Sequence, residues 1–283
     1  FLNKFAFGNP TTEDLINVFN EVAEKDYTWF FKQWVLSAGH PQLDINTSWK
    51  KGELTVAINQ TQIGRKTPTK YYLPTKIALY YKNEVVEKEL IIDRKRSIFR
   101  FETKKEPLFV RFDPSDDLLV EVEQNHSFEG LLNKLKRDSV IGRMEAARLL
   151  KKYIDEPSTV RSLKRVAVHD RSWFVRKAAI QSVSSELTAK DFLIAFIREK
   201  HSQPRRSLVT EMSKYHPSDA VQLIRKYLDK DDSYIVQAEM IRQLGSYGDS
   251  SDIKRIEPYV KPWSPRKIIR NAANKSLIQL QEK

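Results

Sequence analysis

Cysteine is missing from this 283-residue chain, which excludes disulfides, thiol nucleophiles and thiolate metal sites. No run of 18 apolar residues occurs, so nothing reads as a membrane-spanning helix. Glycine is scarce at 8 residues, and neither Gly64 nor the Gly245–Gly248 region matches a phosphate-loop signature. The five histidines (His40, His126, His169, His201 and His216) are scattered, and no H-E-x-x-H sets two imidazoles on one helical face. A self-sufficient enzyme should display a nucleophile, an acid/base pair, a metal cage or a phosphate cradle. None is legible, so no catalytic, cofactor-binding or metal-ligating residue is expected here. Asp116, Asp117, Asp229, Asp231 and Asp232 read as turn and cap residues, because Asp bonds nearby backbone N–H groups at such places. The opening Phe1-Leu2-Asn3-Lys4-Phe5 has no initiator methionine and no signal-peptide pattern, and reads as the interior of a longer chain.

What is present divides into three stretches. The composition, 40% hydrophobic and 30% charged, is that of a folded soluble protein rather than a disordered one. Residues 1–41 form the first stretch, helical in pattern over 1–38. Thr11 can cap a helix with Asp14 answering it three residues on, and Leu15, Val18, Phe19 and Val22 follow at helical spacing. An aromatic run from Tyr27 to Trp34 ends at Gly39-His40-Pro41, which stops a helix. Residues 42–125 change to period-two alternation, as in Leu54–Asn59, Ile77–Tyr81 and Ile98–Phe101, with turns at Lys50-Lys51-Gly52 and Lys82-Asn83-Glu84. Six or seven short strands in this span predict a small antiparallel β-sandwich, its last strand around Leu118–Val122.

Residues 126–283 are helical and repeat. An Arg or Gln followed by apolar residues at the third and seventh positions occurs at Arg143, Arg176, Arg205, Gln237 and Arg270, each copy preceded by another apolar helix. Two helices per roughly 30 residues predict an α-solenoid of HEAT/ARM type, each hairpin burying its stripe against its neighbours. An Asp stands just before the second helix at Asp138, Asp170 and Asp232, and the third copy lacks it. The fold class expected is therefore α+β and multidomain: a short helical segment, a sandwich, then an α-α superhelix.

The join between the first two stretches carries a resemblance. Asn9-Pro10-Thr11-Thr12-Glu13-Asp14-Leu15, then Trp29-Phe30-Phe31-Lys32-Gln33-Trp34, then Gly39-x-Pro41-x-Leu43-x-Ile45 resemble the end of the catalytic domain in the aminopeptidase N family of zinc metallopeptidases. The order that follows, strands, a Phe112-Asp113-Pro114 turn and a helical domain, is the family's order too. The resemblance implies that residues 1–41 end a catalytic-type helical domain. The parent would remove N-terminal amino acids from peptides with one zinc, held upstream of Phe1, and no cofactor is implied in these residues. The partners implied are that upstream catalytic domain and a peptide substrate. The sandwich would act as spacer and the helical domain as a lid over the active site. Trp29, Phe30, Phe31 and Trp34 then read as core, with Trp34 in the seam against the sandwich. Cytoplasmic and periplasmic or secreted locations both stay open for such a parent.

Charge supplies the remaining signal. Residues 1–125 hold 18 Lys/Arg and 18 Asp/Glu, whereas residues 126–283 hold 31 and 19, so the whole excess of +12 lies in the helical stretch. Arg143, Arg176, Arg206, Lys267 and Arg270 are the candidates for contact with a peptide carboxylate or an acidic partner. The competing reading of the recurring arginines is structural: each would pair with an Asp of a neighbouring turn and tie the stack together. A second functional reading is an interaction scaffold, as in peptidase-like proteins that have lost their zinc motif. A nucleic-acid partner is the least expected: phosphate binding needs cations gathered on one face, and Arg143, Arg176, Arg205 and Arg270 do recur in register, but pairing with neighbouring acids is the stronger account of them.

Overall fold

Two short helices open the chain in the computed structural model, which describes residues 1–261 and 263–283. Helix α1 (Thr12–Ala23) starts as the sequence predicts: the Thr11 hydroxyl accepts the Asp14 N–H and the Asp14 carboxylate accepts the Thr11 N–H. It stops where Glu24 turns left-handed at φ 50°. Helix α2 (Thr28–Trp34) follows. Phe1–Gly8, expected to be helical, form turns instead, and Phe7 at φ 62° cannot propagate a right-handed helix. The apolar set assigned to α1 is also corrected: Ile16 and Val18 are buried, whereas Leu15, Phe19 and Val22 stay exposed.

Seven strands follow: β1 (Gln42–Lys50), β2 (Glu53–Gln60), β3 (Leu73–Tyr80), β4 (Val85–Ile92), β5 (Arg96–Glu102), β6 (Phe109–Phe112) and β7 (Glu121–Gln124). They form one sheet in the order β5-β2-β1-β7 and another in the order β4-β3-β6. Strands β1 and β2 are joined by the two residues Lys51 and Gly52, both at positive φ (50° and 85°), the geometry a tight hairpin requires. The sandwich departs from the wholly antiparallel arrangement expected, because β7 pairs parallel with β1. The chain reaches β7 from β6, which lies in the other sheet, so no hairpin forces the antiparallel direction. Inward residues of both sheets share one core: Leu43, Ile45, Leu54, Val56 and Ile58 meet Leu73, Ile77, Leu79, Leu90, Ile92, Val110 and Phe112. Each such burial stabilises by roughly 1.5–3 kcal/mol as an upper estimate.

The chain divides into two compact units, residues 1–127 and 128–283. The second unit is helical: α3 (Phe128–Arg137), α4 (Val140–Leu150), α5 (Pro157–His169), α6 (Trp173–Val183), α7 (Ala189–Arg198), α8 (Ser202–Tyr215), α9 (Pro217–Tyr227), α10 (Tyr234–Tyr247), α11 (Ile253–Ile256) and α12 (Ile268–Gln281). The five copies of the sequence motif fall on α4, α6, α8, α10 and α12. These second helices touch in succession, α4 to α6, α6 to α8, α8 to α10 and α10 to α12, and the preceding helices pack beside them. Small residues make the approach possible: Ala146, Ala147, Ala178, Ala179, Ala238, Ala272 and Ala273 are all buried in one continuous core.

Candidate functional site

The recurring arginines meet carboxylates rather than solvent. Arg143 donates through Nε and Nη2 to Asp170 at 2.9 and 3.0 Å, and its Nη1 bonds the Asp138 carbonyl at 2.9 Å. Arg176 repeats the arrangement with Glu199 at 2.6 and 2.7 Å and the Asp170 carbonyl at 2.8 Å. Arg205 repeats it again with Asp231, both bonds at 2.9 Å. Each carboxylate also accepts the N–H two residues ahead, at Ser172, His201 or Ser233, where the next second helix begins. One acid thus positions a helix start and holds the previous helix in a two-bond fork.

This geometry corrects two sequence assignments. The acid of the fourth copy is Asp231, buried, and not Asp232, whose side chain is 97% exposed. The third copy does not lack its acid, because Glu199 fills the place and its extra methylene spans the distance. Burial pushes the Glu199 carboxyl up, yet the Arg176 bonds and the His201 N–H outweigh it and hold it below the usual carboxylate value. At Gln237 the fork is impossible, and the ion pair shifts to the preceding helix: Arg225 grips Asp252 through Nε at 2.8 Å and Nη2 at 2.7 Å.

The five candidate contact residues therefore separate. Arg143 and Arg176 have side chains 7% and 15% exposed and are committed to carboxylates, which removes them from the accessible surface. Arg270 is part-buried, and its Nε donates to the Val260 carbonyl at 2.9 Å. Lys267 is exposed at φ 55°, next to Arg266 at φ 51°. Arg206 alone joins a larger cluster. Its Nε reaches Glu239 at 3.1 Å, while Arg242 Nη1 and Gln243 Nε2 reach the same carboxylate at 2.8 Å. Burial raises the Glu239 carboxyl, but the Gln243 amide and the two guanidiniums hold it lowered. The Arg206 and Arg242 side chains are 43% and 36% exposed over one buried carboxylate.

Sequence reasoning missed a second device. Gln33 of α2 donates Nε2 to the Tyr72 carbonyl and accepts the Tyr72 N–H on Oε1, both at 2.9 Å. Gln60 does the same for Tyr71, at 2.9 and 2.7 Å. Two glutamines from opposite sides thus fix Tyr71-Tyr72, and Trp34 packs its ring 5.5 Å from Tyr71 against the sandwich core. Phe31 is buried, whereas Phe30, expected in the core, is 40% exposed on the other side of the short helix. The signal was in the sequence: a glutamine between Phe31 and Trp34 occupies a face that is otherwise apolar.

No group of three His, Asp or Glu side chains among the described residues is gathered so as to hold a metal ion. The zinc implied by the resemblance is therefore not assigned to any of them. His40 lies against Glu121 at 3.0 Å, His216 against the Leu187 carbonyl at 2.7 Å, and His201 stacks on Trp173. Among the described residues, no helix is long and apolar enough to cross a membrane.

No protein-family model matches the chain, and no curated protein matches it in sequence. A solved structure does: that of Legionella pneumophila aminopeptidase A in complex with aspartic acid, at a TM-score of 0.69 and 15% identity, with 94% of this chain and 38% of that one covered. The chain spans well under half the length of that protein, and at this identity the likeness is one of fold, an aminopeptidase-like one.

Proposed function

We propose that this chain is the non-catalytic C-terminal part of a zinc-dependent aminopeptidase-type protein, its helical repeats forming a HEAT-like α-solenoid that acts as lid and substrate-access domain. The observation that carries the reading is the coverage: nearly the whole chain is similar to little more than a third of an aminopeptidase. The motif residues from Asn9 to Ile45 give the direction, since they resemble the end of a catalytic domain running into a sandwich. The N-terminal segment adds a physical argument. Leu2, Phe7, Val22, Val35 and Leu36 leave more than half of their surface in water, a concentration that an upstream catalytic domain would cover. The zinc and the peptide-cleaving groups belong, in this reading, to that domain.

Two measurements test it. The purified chain should not turn over aminoacyl arylamides, and turnover abolished by chelation and restored by zinc would overturn its non-catalytic role. In the full-length parent, removing residues 128–283 should relax the discrimination between short and long peptides, as loss of a lid does. Unchanged selectivity would remove the access role. A second reading, a scaffold in a peptidase-like parent, is favoured by surface cations that no internal partner uses. A parent that carries no zinc and hydrolyses nothing would select it.

A further inference from the structure

Each second helix of the helical unit carries an exposed or half-exposed cation on one face: Arg148 on α4, Lys177 on α6, Arg206 on α8, Arg242 on α10 and Lys275 on α12, with Lys214 two turns beyond Arg206 on α8. Arg148, Arg242 and Lys275 lie five residues after the recurring motif position, and Lys177 and Arg206 one residue after it. Those positions differ by four residues, one helical turn, and so share a face. The Arg206–Glu239 bond, running from α8 to α10, shows that this face continues from one helix to the next. Arg148, Lys177 and Lys275 have no hydrogen-bond or ion-pair partner for their side chains among the described residues. The carboxylates of these helices are otherwise engaged or few: Glu145 pairs with Lys134, Glu211 lies near Lys214, and Glu239 sits beneath two guanidiniums.

We propose that this row is a docking track for an extended acidic polypeptide segment. Neighbouring packed helices lie about 8–10 Å apart, and a one-turn stagger lengthens the step to roughly 9–11 Å. A chain in the polyproline II conformation turns once every three residues and rises about 3.1 Å per residue, so carboxylates at every third residue share one face, recur at about 9 Å and meet one cation per helix. The spacing argues against nucleic acid, whose phosphates follow one another far more densely along a strand, about one per 3.4 Å of duplex axis. The buried Glu239 would also repel a continuous line of phosphates, whereas sparse carboxylates can straddle it. Guanidinium forks suit carboxylates, the same pairing this unit uses inside its stack. The track stands independently of the peptidase reading, since it rests only on the helical unit.

The test uses the whole chain and a fluorescent Glu-Gly-Ser repeat peptide, with binding followed by anisotropy as salt is raised. The triple variant Arg148→Gln, Lys177→Gln, Lys275→Gln should bind about tenfold more weakly, the sum of three exposed ion pairs. A control with equal charge loss on the preceding helices, Arg161→Gln, Lys190→Gln, Lys254→Gln, should bind within about twofold of the parent, since contacts beyond a Debye length are screened. All six side chains are exposed except the half-exposed Lys177, and equal melting temperatures establish that neither variant unfolds. Equal weakening in the two variants would reduce the attraction to net charge and overturn the track. So would an absence of peptide binding, or a single-stranded oligonucleotide that binds tighter than the peptide and is lost only in the track variant.

Discussion

At the scale of single residues, polar side chains do the work of missing secondary structure. Tyr71-Tyr72 lies just before β3, and its backbone groups are satisfied by the amides of Gln60 and Gln33. Gln33→Leu should leave the Tyr72 N–H and carbonyl unpaired at a partly buried joint and cost about 1 kcal/mol in a denaturant titration. A loss below a few tenths would mean that water replaces the amide. Gln33→Glu keeps the acceptor but not the donor, and should fall between the two. The ladder arginines make the opposite case, a charge inside a stack. Arg143→Leu strands Asp170, whose side chain is only 9% exposed, and should cost about 3–5 kcal/mol. Adding Asp170→Asn removes the stranded charge while an amide oxygen still accepts the Ser172 N–H. That double variant should therefore be more stable than the single one. A double variant worse than the single would show that Asp170 acts mainly on Ser172.

At the scale of elements, the repeat was legible because its period is set by burial, and burial writes apolar residues at fixed spacing. The acids were less legible. Asp231 and Asp232 are adjacent, and only the fork geometry with Arg205 distinguishes the buried one from the exposed one. Glu199 escapes a search for Asp because its residue type differs, although its length fits the same place. The N-terminal helices misled for a related reason: Phe19, Val22 and Phe30 obey helical spacing yet stay exposed, since periodicity records what a face is built for. The seam between α10 and α12 was not legible at all. A Cβ added to Gly245 would lie 2.5 Å from Ser276 Oγ and 2.6 Å from Ser276 Cβ. Gly→Ala at an unstrained helical site normally stabilises by about 0.4–1 kcal/mol. Here Gly245→Ala should destabilise, because α12 must move, and Ser276→Gly in the same chain should restore part of the loss. A more stable Gly245→Ala chain would show that the helices are not in contact at this point.

At the scale of the whole molecule, charge is divided unequally, and so is sensitivity to acid. In residues 1–127 the carboxyls held low are the half-exposed Asp14 and the exposed Glu21, Asp26 and Glu121, and solvent screens what they contribute. In residues 128–283 Glu199 and Glu239 are lowered against the opposing effect of burial, whereas Asp249, held at about 2 by the Ser251 hydroxyl and Arg225, is exposed and screened like the first group. A carboxyl whose value is lower folded than unfolded contributes stability above its unfolded value of 4.5 for Glu. That contribution is lost as pH falls from there through the folded value. The same unit carries the whole +12 excess, so protonating its carboxylates adds self-repulsion to the lost ion pairs. The helical unit should therefore open first on acidification, beginning below about pH 4.5. Peptide-resolved hydrogen exchange at stepped pH should show α6, α8 and α10 losing protection while β1, β2 and β3 keep theirs. In Glu199→Gln the drop in protection around α6 and α8 should be shallower, since that variant has already given up the titrating pair. Sandwich amides exchanging first, or an unaltered profile in Glu199→Gln, would mean that these buried pairs do not govern the acid limit of the fold.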